Sequence, residues 1–490
     1  MSENQKLTPE QEAADAKKLK QFKVLYPAQQ ALSSSQLQYT GTYANFLYTN
    51  VFMFSVTFTA AMTLASQLVG WLGGPIFAAF MDRFQFKNGK FWPWLAIGTI
   101  LTCGLFMLIF ALPAMSSNPQ KLAPLVFALV MCTTIFGPLA STPINGAFPR
   151  LSKTPEDRQY FAMAQKIGRD GGKTIWGYVI PALMPVLAAA TSQNGAYAIM
   201  GVICLGLPIL GNELFALVGL KGSYIEREAI AETNKAKAEK VGMGVIFKVL
   251  FSNRPLLGAF FHFMFHKSYY FIYTSNGVYV FTYLFENPLK LSIFFTVFNL
   301  TAIIGVMFGK VLTAIFKDSK KSHVACYVIH MIFLAAIAVT LPKQNVNLFI
   351  ILFGCSSFFM GMLENWIMPS FAAASDYAAW KTGSRMDAFV MSIYGLSVTG
   401  SLTVTTLVSS AILNSVHYTE FVASGAAVTE TIKKGMVTLY GVAPLVISCV
   451  SLAFLLFVYN LNDKKINAIN ADLAAGHTMK DGYLDLDKIK

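Results

Sequence analysis

The chain has 490 residues, of which 55% are hydrophobic and 13% are charged, and its formal net charge is +13. This composition is too apolar for a soluble protein of this size, and the apolar sequence is too long for one or two membrane anchors. The positive charge is expected to reflect membrane topology and attraction to anionic lipid, and no nucleic-acid partner is predicted. The sequence therefore predicts a polytopic membrane protein with membrane lipids as partners.

Twelve segments are long and apolar enough to cross a bilayer, for which a helix needs about 20 mostly apolar residues. They are 29–53, 57–81, 92–112, 123–146, 160–190, 195–219, 254–285, 289–316, 322–341, 346–373, 386–413 and 436–460. The polar stretch before the first segment has no apolar core and no small-residue cleavage site, so no signal peptide is expected. The six cysteines lie singly in these segments, and neither disulfides nor a metal site is expected.

A charged stretch separates the sixth predicted span from the seventh. Lysine and arginine are concentrated in alternate loops, which predicts that both termini face the cytoplasm of a multi-pass protein in the plasma or inner membrane. The predicted divisions are a cytoplasmic N-terminal tail at 1–28, an N-terminal six-helix half at 29–219, a central cytoplasmic loop at 220–253, a C-terminal six-helix half at 254–460 and a cytoplasmic C-terminal tail at 461–490.

Three polar segments outside the spans are predicted to contain short helices without chemistry of their own. Ser223 and Glu226 have the spacing of a capping box, in which each side chain bonds to the backbone of the other residue at the start of a helix. Pro9 predicts a helix start in the N-terminal tail, and Gly476 predicts a helix end in the C-terminal tail.

The two halves share a sequence pattern. Residues 305–321 form an apolar segment that runs into a charged loop, and they hold the place in the second half that residues 70–90 hold in the first. Internal similarity between two six-helix halves is typical of a carrier whose halves rock around a central site. The predicted fold class is all-α and integral to the membrane, of the major facilitator type, with twelve transmembrane helices in two six-helix halves.

Three motifs extend this prediction to a family. Residues 82–94 read DRFQFKNGKFWPW, residues 253–257 read NRPLL, and residues 376–385 read DYAAWKTGSR. In sequence and in order they resemble the DR…GKxRPW, NRPLL and DYGEWKTGxR motifs of the glycoside-pentoside-hexuronide:cation symporters, the melibiose carrier family. The resemblance implies a secondary transporter that is not an enzyme and needs no cofactor.

The cation-binding residues of that family do not carry over to this chain. Counting without gaps from the DR pair, the family's second-span aspartates fall on Gly70 and Gly74, which offer no side-chain ligand. Ser141 and Thr399 stand where the family often has an aspartate and a lysine, and Lys166 stands in place of a fifth-span arginine. Hard cations need several oxygen ligands, usually including carboxylates, so the usual sodium site is not expected. Coupling has either moved to other residues or been lost.

Charged residues inside a span are functional candidates because an ionised group near the bilayer centre is costly. The fifth span has four of them at positions i, i+3, i+4 and i+7 of one helical stripe. They are Lys166, Arg169, Asp170 and Lys173. The stripe either lines a solute cavity near the midplane or, if the helix starts later, forms a cytoplasmic rim.

The seventh span carries His262, His266 and Lys267, followed by several tyrosines that include Tyr270. Lys267 is expected near the midplane, about 18 Å into the span at 1.5 Å per residue. The two histidines have the spacing of a helical metal pair, but hydrogen bonding in a polar cavity is favoured, and no metal is predicted. In the ninth span, His330 is expected to lie near a membrane interface and to reach toward it.

Glu364 in the tenth span has two interpretations. It either takes up a coupling proton, for which Asp170 is the other candidate, or pairs with a lysine as a structural gate. The cytoplasmic loops that begin at Asp82 and Asp376 are interpreted as an inward gate held by charge pairs, with topology anchoring as the alternative for Asp82 and Arg83.

If Glu364 is not counted as a charge, the presumed cavity has a surplus of positive charge, which favours an anionic ligand. Its tyrosines offer flat surfaces for a sugar ring. The predicted function is secondary transport of a small organic solute, a sugar, glycoside or uronide, by alternating access that is proton-coupled or facilitative. A carrier of lipid or another amphiphile and a sodium-coupled glycoside symporter with a displaced cation site remain as alternatives. The expected partners are the solute and, in the coupled case, a proton.

The predicted substrate-binding residues are Lys166, Arg169, Asp170, Lys173, His266, Lys267 and Tyr270. The predicted coupling or gating residues are Asp82, Arg83, Glu364, Asp376, Lys381 and Arg385.

Overall fold

The computed structural model describes residues 9–83, 86, 89–151, 155–233, 253–382, 387–482 and 484–486. The chain divides into two compact units, Met1–Ala238 and Glu239–Lys490. Both units are helical, and the β structure within the described ranges is an isolated bridge between Phe86 and Gly89.

The first unit contains seven helices in its described part. They are α1 (Pro9–Phe46), α2 (Val56–Arg83), α3 (Trp92–Met115), α4 (Ala123–Ala147), α5 (Pro155–Ala190), α6 (Gln193–Leu214) and α7 (Tyr224–Thr233). Short π-helical segments at Leu47–Val51 and Phe215–Leu220 extend α1 and α6. Proline in the first turn of α3 and α4 and a Ser192 cap on α6 favour these starting points, since proline fits the first turn of a helix and the serine accepts a free backbone N–H.

The second unit contains ten helices in its described part. They are α8 (Arg254–Ser275), α9 (Gly277–Tyr283), α10 (Lys290–Phe316), α11 (Ser319–Thr340), α12 (Val346–Thr382), α13 (Asp387–Ser415), α14 (Tyr418–Ser424), α15 (Glu430–Val437), α16 (Ala443–Ala453) and α17 (Asp463–Ala474). The π-helical segments Thr438–Val442 and Phe454–Val458 flank α16 on either side.

Nine helices of the described ranges are long and apolar enough to cross a membrane, and they coincide with nine of the twelve predicted spans. The predicted spans 29–53, 57–81 and 254–285 fall on α1, α2 and α8 with α9. Of these, α1 is rich in Gln, Ser, Thr and Tyr, and α8 contains arginine, histidine and lysine. The all-helical prediction is confirmed, whereas the count of twelve spans stays a prediction.

The helix start at Pro9 and the helix end near Gly476 lie close to the predicted positions. The prediction of a separate short helix in the N-terminal tail is wrong, because α1 continues without interruption from Pro9 past residue 28 to Phe46 and so includes most of the first predicted span. α17 ends two residues before Gly476, whose φ of +81° is a left-handed conformation that glycine adopts readily.

The same order of helix pairs recurs in the two units. In the first unit, α1 packs on α5 and α6, α2 packs on α4, and α3 packs on α4 and α6. In the second unit, α8 packs on α13 and α16, α10 packs on α12, and α11 packs on α12 and α16. When the predicted spans are numbered from one to six in each half, these two sets of pairs are the same. The pairing therefore supports the internal repeat that the sequence pattern indicated.

Glycines allow some of these helices to approach very closely. A Cβ atom at Gly305 in α10 would lie 1.9 Å from the carbonyl oxygen of Phe358 in α12, and one at Gly361 in α12 would lie 2.0 Å from that of Ala302. In the first unit, a Cβ at Gly168 in α5 would lie 2.4 Å from the carbonyl oxygen of Pro27. Small residues at such crossings are how membrane helices gain van der Waals contact.

Glu226 in α7 caps the first turn of α3. Its carboxylate accepts the backbone N–H groups of Lys90, Phe91 and Trp92, with distances to Phe91 of 2.9 and 3.0 Å and to Trp92 of 2.7 Å. The capping-box prediction for α7 is therefore wrong, because Glu226 serves another helix and the buried hydroxyl of Ser223 has no hydrogen-bond partner. Burial raises the pKa of Glu226 above its ordinary value, although the three N–H donors favour the ionised form.

Other contacts hold α7 and the end of α6 on the first unit. Arg227 forms an ion pair with Asp15 at 2.5 Å, and the Tyr224 hydroxyl donates to the carbonyl oxygen of Leu151 at 2.9 Å. The ammonium group of Lys18 in α1 donates to three carbonyl oxygens after α6, those of Val218, Gly219 and Lys221. A lysine at the carboxyl end of a helix also offsets the negative end of the helix dipole.

The second unit contains a matching cap. Asp463, the first residue of α17, accepts the backbone N–H of Ser319 at 2.8 Å and its hydroxyl at 3.0 Å. Ser319 is the first residue of α11, the third predicted span of its half, as α3 is the third span of the other half. Each unit therefore has a short helix after its last span that places a carboxylate on the start of its third span.

Candidate functional site

An ion pair joins two helices of the second unit, α8 and α12. The Lys267 ammonium group in α8 donates to Oε1 of Glu364 in α12, and the side chains are 20% and 28% exposed. The lysine nitrogen also lies 5.6 Å from the ring centre of Phe263 and 5.3 Å from that of Tyr270, which allows cation–π contacts. The structure thus brings together three predicted site residues and corresponds to the lysine-paired interpretation of Glu364.

His266 lies beside this pair and is almost completely buried. Its Nε2 atom is 3.9 Å from Glu364 Oε1, which is too long for a hydrogen bond, and neither ring nitrogen has a hydrogen-bond partner. The rings of Tyr269 and Tyr327 lie 5.3 and 5.7 Å from the His266 ring. A buried imidazole without hydrogen-bond partners is unusual, and both ring nitrogens of His266 remain able to form a hydrogen bond.

A second pair of histidines lies nearby, formed by His262 of α8 and His323 of α11. Their Nε2 atoms are 3.1 Å apart, and both side chains are buried. His262 Nδ1 faces Ser451 of α16, at 3.1 Å from its carbonyl oxygen and 3.0 Å from its hydroxyl. We call His262 and His323 the histidine pair. Sequence reasoning missed His323 because its partner is 61 residues away on another helix.

His330 does not reach toward a membrane interface, so that prediction is wrong. It lies in the middle of α11 and is fully buried, and its Nδ1 is 3.0 Å from both the carbonyl oxygen and the hydroxyl of Ser356 in α12. The imidazole therefore contacts the neighbouring helix through Nδ1, whereas its buried Nε2 has no hydrogen-bond partner.

A cavity of about 280 Å³ lies in the second unit next to the histidine pair. Its lining includes Lys320, His323, Trp366, Asp376, Tyr459 and Asp463. The Trp366 ring stacks on that of His323, with ring centres 5.6 Å apart. Polar and charged groups at the starts of α11 and α17 therefore share one space with one member of the histidine pair.

The predicted stripe on α5 is present on one helix, but its members differ in exposure. Lys166 and Arg169 are exposed, whereas Asp170 and Lys173 are half-buried. Arg169 Nε lies 3.8 Å from Asp170 Oδ1, a loose ion pair between neighbours in the chain. These residues belong to the first unit and the Lys267–Glu364 pair to the second. Because Glu364 is ionically paired, the predicted surplus of positive charge is smaller by one charge than expected.

The structure describes only some of the predicted gating residues. Asp376 lines the cavity, and Lys381 lies in the last turn of α12. Asp82 and Arg83 end α2, but their side chains lie outside the described part, as does Arg385 entirely. Their roles stay predictions.

Two helical units with the same internal pairing, many membrane-length helices and an ion pair between two of the helices are typical of a membrane transport protein built from a repeated half. The chain belongs to the MFS/sugar transport protein family, whose model matches residues 38–463. It is accordingly a multi-pass protein of the plasma membrane and a transporter, not an enzyme.

The relatives agree with this assignment. A raffinose carrier protein of Pediococcus pentosaceus is 25% identical over 351 residues, which cover 69% of this chain and 52% of that protein, so the match spans about half of its length. A symporter of Bacillus subtilis, YjmB, is 25% identical over 436 residues, covering 87% of this chain and 89% of the relative. The resemblance to the glycoside-pentoside-hexuronide:cation symporters is thereby confirmed.

The fold agrees with solved structures of the same superfamily. The nucleoside transporter NupG superposes with a TM-score of 0.58 over 90% of this chain and 99% of that chain, at 13% sequence identity. At this identity the likeness shows the fold alone, which is the all-helical major facilitator type.

Proposed function

We propose that this chain is a secondary transporter of a sugar, glycoside or uronide, working by alternating access with either proton coupling or facilitated diffusion. The observation that carries the proposal is the Lys267–Glu364 pair, which joins α8 to α12, two of the proposed spans, and lies against Tyr270. Ionised groups are costly within a span and are retained where they line a solute or ion pathway. The family and the name of the raffinose carrier support a sugar as the solute.

In the proposed architecture, twelve spans form two halves at 29–219 and 254–460, and the tails at 1–28 and 461–490 and the loop at 220–253 are cytoplasmic. The distribution of lysine and arginine supports this orientation. The loops that carry Asp82, Arg83, Asp376, Lys381 and Arg385 close the inward gate in this proposal. Twelve-span carriers of this type expose a central site alternately to the two sides.

The solute carries an acidic group in the form of the proposal that we favour, such as a uronide. The stripe of α5 supports it, because Lys166, Arg169 and Lys173 exceed the single acid Asp170 in number. Tyr270 supplies an aromatic face beside Lys267, a surface that suits a sugar ring. Coupling to sodium is not part of the proposal, since Gly70 and Gly74 offer no side-chain oxygen.

The experiment is counterflow in proteoliposomes of the purified chain, with raffinose as the neutral probe and a glucuronide as the anionic probe. We expect saturable exchange that favours the glucuronide and that falls strongly in Lys267→Ala, because that variant leaves Glu364 without its partner. Lys434→Ala is the matched control, since Lys434 is exposed. Equal exchange of a neutral sugar by Lys267→Ala and the wild type would overturn the role of Lys267, and saturable movement of a lipid probe instead would overturn the sugar proposal.

A further inference from the structure

The bonding around the histidine pair fixes which nitrogens carry protons. The Ser451 hydroxyl donates to the carbonyl oxygen of His262 at 2.8 Å, so its oxygen is left as an acceptor toward His262 Nδ1. His262 therefore carries its proton on Nδ1 and presents the lone pair of Nε2. The 3.1 Å contact then requires that His323 donates its Nε2 proton to His262. The free basic nitrogen of the pair is Nδ1 of His323, a residue that lines the cavity.

We propose that the histidine pair is the binding site of the coupling proton, an inference that rests on the proposed transport function. A proton from water in the cavity adds to His323 Nδ1, the Nε2–H bond of His323 breaks, and that proton forms a new bond to His262 Nε2. His323 ends neutral with its proton on Nδ1, and His262 becomes an imidazolium that keeps its bond to Ser451. One proton enters, no other bond changes, and no further reactant is needed.

The position of the pair gives this proton a mechanical effect. His262, His323 and Ser451 lie on α8, α11 and α16, so a positive charge shared by the pair acts on three packed helices at once. His266, one turn along α8, has its ring centre 6.1 Å from that of His262 and stands between the pair and the Lys267–Glu364 site. Charging the pair therefore raises the positive potential at the carboxylate and at the neighbouring solute site.

Ionisable groups face the pair from each neighbouring helix. They are His266 and Lys267 on α8, Lys320 and Tyr327 on α11, Glu364 and Asp376 on α12, and Asp463 on α17, while α16 contributes the hydroxyl of Ser451. Asp376 and Asp463 border the cavity from which the proton arrives, and their carboxylates attract cations there. Glu364 is less suited as the acceptor, because its charge is already matched by Lys267.

The experiment compares the wild type with His262→Gln, His323→Gln and the control His417→Asn in the same proteoliposomes, with raffinose and a glucuronide as probes. His417 is exposed and has a φ of 53°, a conformation that asparagine accepts. We expect an inward proton gradient to drive accumulation in the wild type and the control. In both glutamine variants, uptake should stop when the solute concentrations inside and outside the vesicles are equal. Counterflow moves no net proton and should persist. Accumulation at the wild-type level by either glutamine variant overturns the proposal.

A readout without any sugar separates the two proposals. In the full chain labelled with ¹⁵N-histidine, the nuclear magnetic resonance signals of the pair should shift together with pH, and His323→Gln should change the titration of His262. If the wild type exchanges neither probe, the transport proposal fails and the titration alone decides the proton site. If exchange occurs but the signals of the pair stay fixed between about pH 5 and 8, the proton proposal fails and the transport proposal stands.

Discussion

Replacement of Glu226 tests the cap between α7 and α3. Three backbone N–H groups, those of Lys90, Phe91 and Trp92, are bonded to its carboxylate. An unsatisfied buried donor costs about 1 kcal/mol or more. Glu226→Ala should therefore weaken the start of α3 by about 3 kcal/mol, at about 1 kcal/mol for each lost bond. Glu226→Gln keeps the oxygen that serves Phe91 and Trp92 and should cost only about 1 kcal/mol.

Amide hydrogen exchange of the purified full chain measures this loss where it occurs. Each 1.4 kcal/mol is a factor of ten, so the amides of residues 90–92 should exchange about 100-fold faster in Glu226→Ala and about fivefold faster in Glu226→Gln. The control is Glu228→Ala, which removes an exposed carboxylate from the same helix. Unchanged protection of residues 90–92 in Glu226→Ala would show that the carboxylate does not hold this turn.

The same residue gives a pH dependence of known sign. Its pKa in the folded chain is raised by burial, so the folded state binds the proton more tightly than the unfolded state. The free energy of unfolding of the wild type, relative to that of Glu226→Gln, should therefore rise as the pH falls through the folded-state pKa toward the ordinary value of 4.5. A difference that falls over this range would contradict the assignment of burial as the dominant cause.

Three further outcomes follow from the structure. Lys267→Met and Glu364→Gln should each lower the stability of the chain in detergent by about 3 kcal/mol, because each leaves a largely buried charge without its partner. The double variant should lose less stability than either single variant, a thermal double-mutant cycle measures this, and additive losses would contradict it. Replacing sodium with choline should leave counterflow unchanged, since Gly70 supplies no ligand, and a sodium-dependent rate would place a cation site elsewhere. Gly305→Ala should lower the melting temperature, because the added Cβ would lie 1.9 Å from a backbone oxygen. The control is Gly395→Ala, whose added Cβ would have no neighbouring atom within 4 Å, and equal melting temperatures of the two variants would refute the close packing.

Much of the fold was predictable because apolar length and loop charge are local properties of a sequence. The lone charges at Lys267 and Glu364 were also predictable, since an ionised residue in an apolar run is conspicuous by itself. Their mutual contact was only one of two interpretations, because 97 residues separate them and spacing along one helix says nothing about the facing helix. His323 was missed for the same reason, because its partner His262 is 61 residues away and lies on another helix.

The errors have a common physical cause. The spacing of Ser223 and Glu226 fits a local cap, but a carboxylate bonds to whichever free N–H groups the tertiary structure presents, and here those belong to α3. His330 was assigned to an interface from its distance to the end of an apolar run, whereas α12 supplies a carbonyl and a hydroxyl at its actual position. In both cases tertiary structure provided a partner that local spacing does not contain.

The paired caps have a consequence for how the chain can be divided. Glu226 and Asp463 each follow the last span of their own unit and act within that unit. A cut made between residues 234 and 252 leaves both caps on the fragment that uses them. Two separately synthesised halves would therefore each contain the carboxylate that caps the start of their own third span. A single ancestral half that was duplicated together with the short helix after its last span would give the same arrangement.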